Sequence, residues 1–229
     1  MSKTSKNVLG DQRGKIGKVV GKVVDGVQMY SAYVESVADP RTEKQMAHRA
    51  RFAAVIDLGK AMKGAVKLGY RDKAATKKLT SPFNIFVKEN IGKVSYDGET
   101  AAVTVDYAHV TIADGEVPAV LFNGATFGES CQVTVAYAGQ ADIPGANDDD
   151  SVYVVVYSPV LGRSTMGIGA RAAGTLTVAL PSEWAGEVVH VWGFVRTSAE
   201  WPRPIEAYGI TITPGSCSPS AYIGTGTVL

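Results

Sequence analysis

The 229-residue sequence predicts an α+β fold: an N-terminal β-hairpin and helices over the first 93 residues, then an all-β part. Three observations predict it. First, charge is segregated. Residues 1–93 hold all 14 Lys and 5 Arg against 8 acids, a net of +11. Residues 94–229 hold no Lys, 4 Arg and 14 acids, a net of −10, so the overall +1 is a difference between two opposed blocks. Blocks of opposite sign mark parts with separate partners. Second, apolar residues change from helical spacing to alternation after Gly92. Third, turn residues punctuate the second part at the short intervals of an antiparallel sheet.

Each element has a local reason. Lys15 to Val24 and Val27 to Val34 are β-rich runs around Asp25-Gly26, and a two-residue turn with positive φ at both positions favours that pair. Thr42 with Gln45 has the spacing of a capping box. Met46, Phe52, Ala53, Ile56, Met62 and Val66 form an apolar stripe. Gly59, Gly64 and Gly69 weaken it, which predicts a helix of about four turns and then a break or a second helix. Ser81-Pro82 reads as an N-cap followed by Pro at the first helical position, opening a short helix to Asn90. Strands are predicted at 101–112, 117–122, 131–138, 151–157, 174–180, 187–197, 207–213 and 221–228, with Asn123-Gly124 among the turns. That many short strands predict an antiparallel sandwich of immunoglobulin-like type. The expected parts are a basic arm over 1–14, a hairpin-plus-helix docking region over 15–93, and an acidic sandwich over 94–229. An arm rich in Lys, Ser and Gly is disordered in a free monomer and takes order from an assembly.

Three stretches resemble a known family when taken in order. They are Gly14-Lys-Ile-Gly17-Lys-Val-Val-Gly21; Asp39 to Gln45 with Arg49, Arg51 and Phe52; and a β-part carrying Asp150 to Tyr157, Val189 to Phe194, and Ser218 to Gly224. The chain resembles the uncharacterised bacterial family catalogued as domain of unknown function 6266, common in gut Bacteroidetes and their mobile elements. The resemblance spans nearly the whole chain. It departs from the family pattern in the Pro/Cys-containing segment Pro214 to Pro219. It implies the architecture of hairpin, helices and sandwich, and brings no activity and no catalytic residues.

The residues that could carry chemistry are few. No apolar run approaches the roughly 18 residues of a membrane-spanning helix, and no apolar stretch of a secretory signal follows the N-terminus. These point to synthesis in the bacterial cytoplasm. His48, His109 and His190 are scattered, and read as a solvated helix face and two strand positions rather than as ligands. Cys131 and Cys217 read as reduced, packed thiols. Asn147 to Asp150 offers clustered oxygens for calcium, but lacks the alternating spacing of a calcium loop and reads as a solvated turn. Gly167, Gly169 and Gly174 fail the dinucleotide spacing. No Ser sits in a nucleophile elbow. The sequence therefore predicts no enzyme, no catalytic residue, no metal and no cofactor.

Contact surfaces are the better lead. Lys60, Lys63, Lys67, Arg71, Lys77 and Lys78 are the candidate docking residues, and Lys60, Lys63 and Lys67 share a helical face at i, i+3, i+7. Trp201 and Arg203, with Asp148, Asp149 and Asp150, are candidate loop contacts; Trp192 and Phe194 alternate on a strand as core. The leading expectation is a structural component of a multi-subunit assembly, a phage or phage-derived virion protein, with copies of itself or other subunits as partners. The alternatives are a carbohydrate or cell-surface binding module and nucleic-acid binding through residues 44–78.

Overall fold

A computed structural model describes residues 2–4, 12–24, 26–36, 39, 41–76, 80–128, 130–139, 142–198, 200, 202–205 and 209–229, with the backbone alone at 2–4, 203 and 210. The fold is α+β. The chain divides into two compact units, Met1–Thr42 and Glu43–Leu229. This division does not coincide with the change of charge at Lys93, because the helices share a core with the sheet that follows them.

The first unit is a four-stranded antiparallel sheet in the order β1-β4-β3-β2, formed by β1 (Ser2–Thr4), β2 (Gly14–Ile16), β3 (Val19–Val24) and β4 (Val27–Ala32). Val24 pairs with Val27 and Gly26 has φ +74°, as the predicted tight hairpin requires. A second tight turn joins β2 to β3, with Gly17 at φ +62°. Gln28 is buried and holds residue 12 against the sheet: its Oε1 accepts from the Gln12 amide at 2.8 Å, and its Nε2 donates to the Gln12 carbonyl at 2.8 Å. Among the residues of this unit whose side chains are described, only Gly21 and Gln28 are buried. Ile16, Val19, Val24, Tyr33 and Val34 are exposed.

The second unit opens with helices α1 (Glu43–Ala61), α2 (Lys63–Gly69), α3 (Arg71–Ala75) and α4 (Pro82–Asn90). Ser81 caps α4 as predicted, its Oγ accepting from the Asn84 amide at 3.2 Å, with Pro82 at the first position. A small hairpin, β5 (Val94–Tyr96) and β6 (Val103–Val105), follows. The remaining strands are β7 (Leu121–Gly128), β8 (Gln132–Ala138), β9 (Ser151–Ser158), β10 (Arg163–Ala170), β11 (Thr175–Ala179), β12 (Val188–Arg196), β13 (Arg203–Ile205), β14 (Ile210–Ile212) and β15 (Ala221–Thr227). Two sheets dominate, ordered β10-β9-β12-β15 and β11-β8-β7, both antiparallel.

The four-stranded sheet is covered on both faces. Val152, Val154, Val156, Val189, Val191 and Val195 pack with Val133, Val135 and Val178 of the three-stranded sheet. The opposite face, with Tyr153, Val155, Tyr157, Trp192 and Phe194, packs with Val55, Leu58, Met62, Val66, Tyr70 and Phe86 of the helices. The unit is thus three layers: helices, four strands, three strands. Burial on both faces explains why β9 is an apolar run rather than an alternating one.

Strand boundaries differ from the sequence reading in several places, and β5 lies before the first strand predicted. The predicted strand 101–112 is cut to β6, and Tyr107–His109 form a turn of 3₁₀ helix. Asn123-Gly124 is a bulge inside β7 rather than a turn, with Gly124 at φ +136°. β10 lies where no strand was predicted. Its glycines are required by packing, since a Cβ on Gly167 would lie 2.5 Å from a methyl of Val178. β13 falls in the predicted Trp201–Pro204 turn.

Candidate functional site

The described candidate docking residues, Lys60, Lys63, Lys67 and Arg71, lie on three consecutive helices joined by continuous hydrogen bonding, called the rod below. α1, α2 and α3 are separated by kinks at Met62 and Tyr70, yet i→i−4 bonds cross both joints: Met62 N to Leu58 O (3.1 Å), Val66 N to Met62 O (3.0 Å), Tyr70 N to Val66 O (3.2 Å) and Ala74 N to Tyr70 O (3.0 Å). Two of the glycines read as helix-weakening are there for close packing. A Cβ on Gly59 would lie 2.8 Å from the Phe83 ring of α4, and one on Gly69 would lie 2.3 Å from the Ile112 carbonyl. Gly64 faces open space.

One side of the rod buries Leu58, Met62, Ala65, Val66, Gly69 and Tyr70; the other presents Lys60, Lys63, Lys67 and Arg71 to solvent. The structure therefore brings four of the six predicted docking residues into one exposed stripe. Lys60 pairs with Asp57 at 3.1 Å. Lys77 and Lys78 lie outside the described residues.

At the end of the rod, α3 flanks a cleft of about 440 Å³ lined by Asp72, Lys73, Thr76, Asp114, Gly115, Glu116, Thr211, Thr213 and Ser216. Lys73 is its organising charge. Its Nζ lies 2.5 Å from Asp114 Oδ2 and 3.2 Å from Glu89 Oε1 on α4. The bond to Asp114 does most to raise the Lys73 pKa; Glu89 adds to it, and burial opposes both. The cleft floor is tight at Gly115, where a Cβ would lie 2.2 Å from the Cys217 carbonyl. A smaller cavity of about 200 Å³ on the other side of Asp114 is lined by Tyr70, Glu89, Lys93, Thr111, Ala113, Pro219 and Ser220. There the Tyr70 hydroxyl bonds Thr111, and burial pushes its pKa up to about 12. The sequence reading missed this site, whose residues come from segments more than 100 positions apart.

The acidic turn is not one surface. Asp149 is exposed, but Asp150 is fully buried with Arg171, both side chains inaccessible to solvent. Asp150 Oδ2 lies 3.5 Å from Arg171 Nε and accepts from the Asn147 amide at 3.0 Å. Its Oδ1 accepts from the Ser198 amide at 3.1 Å. Arg171 also donates to the carbonyls of Gly139 (2.8 Å) and Pro118. The pair ties four loops together, and the predicted loop contact at Asp150 has no exposed group to carry it. Asp148 accepts from the Ala172 amide through its backbone carbonyl. Trp201 and the Arg203 side chain lie outside what the structure describes.

The remaining candidates are scattered over the second unit. His48 is exposed on α1 and stacks on Phe52. His109 is exposed beside Asp106 at 2.7 Å, outside any strand. His190 is half-buried in β12, stacked on Tyr107 with centroids 4.0 Å apart, and its Nδ1 is 2.9 Å from the Tyr222 hydroxyl. Burial lowers its pKa. Trp184 and Trp192 are fully buried. Cys131 and Cys217 are free thiols, and burial pushes the Cys217 thiol up to about 12. Among the described residues, no group of three or more His, Cys, Asp or Glu is placed to hold a metal ion. Likewise none of the described helices is long and apolar enough to cross a membrane.

The model of a family of unknown function (DUF6266) matches residues 11–200. No curated protein matches the chain, and no solved structure does. The chain belongs to the DUF6266 family.

Proposed function

We propose that this member of the family is a non-enzymatic structural component of a multi-subunit assembly, a phage or phage-derived virion protein in a gut bacterium. One observation carries the assembly reading: among the described residues of Met1–Thr42, no apolar core is buried. Only Gly21 and Gln28 of them are buried, while Ile16, Val19, Val24, Tyr33 and Val34 stay exposed. A unit of about 40 residues that holds no Cys and buries this little apolar surface needs association to be stable. The charge blocks of +11 and −10 support the same reading, since complementary patches steer association. The sheets β7–β8–β11 and β10–β9–β12–β15 we read as an immunoglobulin-like sandwich, on a strand order in which the chain changes sheet after β8, β10 and β11. Light scattering of the full chain across concentration and salt tests the proposal. Masses of several copies at low salt, falling as salt rises, are expected. A chain that stays monomeric at low salt and high concentration, and binds no other subunit, overturns it.

The exposed stripe Lys60, Lys63, Lys67 and Arg71 favours a second reading, phosphate contact with nucleic acid. It requires binding to any duplex with steep salt dependence. Unchanged binding when Lys60, Lys63 and Lys67 are replaced by Glu would exclude it.

A further inference from the structure

We propose that the basic face of the helical rod docks onto the cleft at the end of the rod in a second copy. Lys63, Lys67 and Arg71 of one chain meet Asp72 and Glu116 of the next. This rests on the assembly reading above and adds to it one contact made within Glu43–Leu229, distinct from the Met1–Thr42 sheet.

The donor side is an unpartnered helix face. Lys63, Lys67 and Arg71 are exposed, and none has an ion pair among the described residues. Lys60, beside them, is already paired with Asp57. On the acceptor side, Lys73 uses Asp114 and Glu89. Asp72 and Glu116 line the same cleft and have no ion pair among the described residues. The hydroxyls of Thr76, Thr211, Thr213 and Ser216 complete the wall. Carboxylates with hydroxyl oxygens around them solvate an ammonium or guanidinium, and among the described lining residues none is an aromatic platform for a stacking ligand.

Arg71 and Asp72 are consecutive on α3, and consecutive helical side chains point about 100° apart. Arg71 and Asp72 therefore point different ways, and among the described residues no ion pair joins the two sets within one chain. Donor and acceptor are different surfaces, so the contact closes as a two-fold dimer where two copies engage each other reciprocally, and otherwise propagates into a ring or a filament.

Sedimentation velocity of the nuclease-treated full chain at low salt is the test, on two variants altered only at exposed positions. Lys63→Glu with Lys67→Glu removes the donor; Glu116→Lys removes the acceptor. Each variant alone is expected to associate about tenfold or more weakly than the unaltered chain. An equimolar mixture is expected to recover association and to stop at two copies, the intact donor of one variant seated in the intact cleft of the other. Variants that assemble like the parent overturn this contact and leave the assembly reading standing. A mixture that recovers nothing overturns it as well, as does loss of association on nuclease treatment. A parent chain that is monomeric throughout overturns both.

Discussion

Replacing Asp150 by Ala strips the carboxylate from a guanidinium with no access to solvent. Arg171 keeps its bonds to the Gly139 and Pro118 carbonyls but loses its countercharge. The Asn147 and Ser198 amides lose their acceptor in the same step. Removing one partner of a buried ion pair costs about 3–5 kcal/mol, because the other charge is left uncompensated. At ordinary urea sensitivities that lowers the unfolding midpoint by about 1–2 M. Arg171→Met is expected to cost less, about 1–3 kcal/mol, because Asp150 retains its amide donors. The double variant carries no buried charge, so its loss should fall short of the sum of the singles by about 2 kcal/mol or more. Urea unfolding followed by tryptophan fluorescence reads all three, since Trp184 and Trp192 are buried in the same unit. Strictly additive losses, or a loss below about 1 kcal/mol in Asp150→Ala, would refute the claim that this pair holds the loops together.

Further outcomes follow from single contacts. Gly64→Ala should stabilise by about 0.5–1 kcal/mol, because the added methyl meets nothing and the helix gains propensity; Gly69→Ala should destabilise by more than that, its Cβ falling 2.3 Å from the Ile112 carbonyl. Thermal melts of the two variants should move in opposite directions. A thiol reagent at pH 8 should modify Cys131 in the folded chain and reach Cys217 only on unfolding, because Cys217 is buried with its pKa raised to about 12. Stability should fall as pH rises above about 9. In that range the unfolded chain ionises Cys217, Tyr70 and Tyr157 while the folded one holds all three protonated up to about 12. The unfolded state then binds fewer protons, which makes the slope of stability with pH negative. Urea midpoints between pH 8 and 11 check the sign, and Cys217→Ala should flatten the decline.

How far the sequence foretold this fold depended on whether the deciding contact was local. The hairpin around Gly26 and the Ser81-Pro82 helix start are set by residues adjacent in the chain, and both were legible. β10 was not, because Gly167 and Gly169 look like loop residues until Val178 and Leu176 of the facing sheet are seen to need the space. Asn123-Gly124 has turn chemistry but serves a bulge, which lets β7 continue against β8. One local signal reaches beyond its own strand. The run Val152 to Tyr157 is apolar at every position, and a strand apolar on both faces must be covered twice. That pattern implies a layer over Tyr153, Val155 and Tyr157, which the helices supply. The exposed lysine stripe followed from helical spacing alone. The cleft did not, since Asp72, Glu116 and Thr213 converge only through tertiary folding. Asp150 read as part of a solvated turn because its partner lies 21 residues away, at Arg171, with no pattern linking them.

The central claim is that the Met1–Thr42 sheet is stabilised by association rather than by a core of its own. Hydrogen exchange of the amides of β3 and β4 in the full chain, compared at concentrations below and above the onset of assembly, tests it most directly. In the dispersed chain these amides should exchange far faster than those of β9 and β12, which are buried between two layers. Assembly should slow exchange in β3 and β4 while leaving β9 and β12 unchanged. Equal protection of the hairpin amides at both concentrations, matching that of the core strands, would contradict the claim.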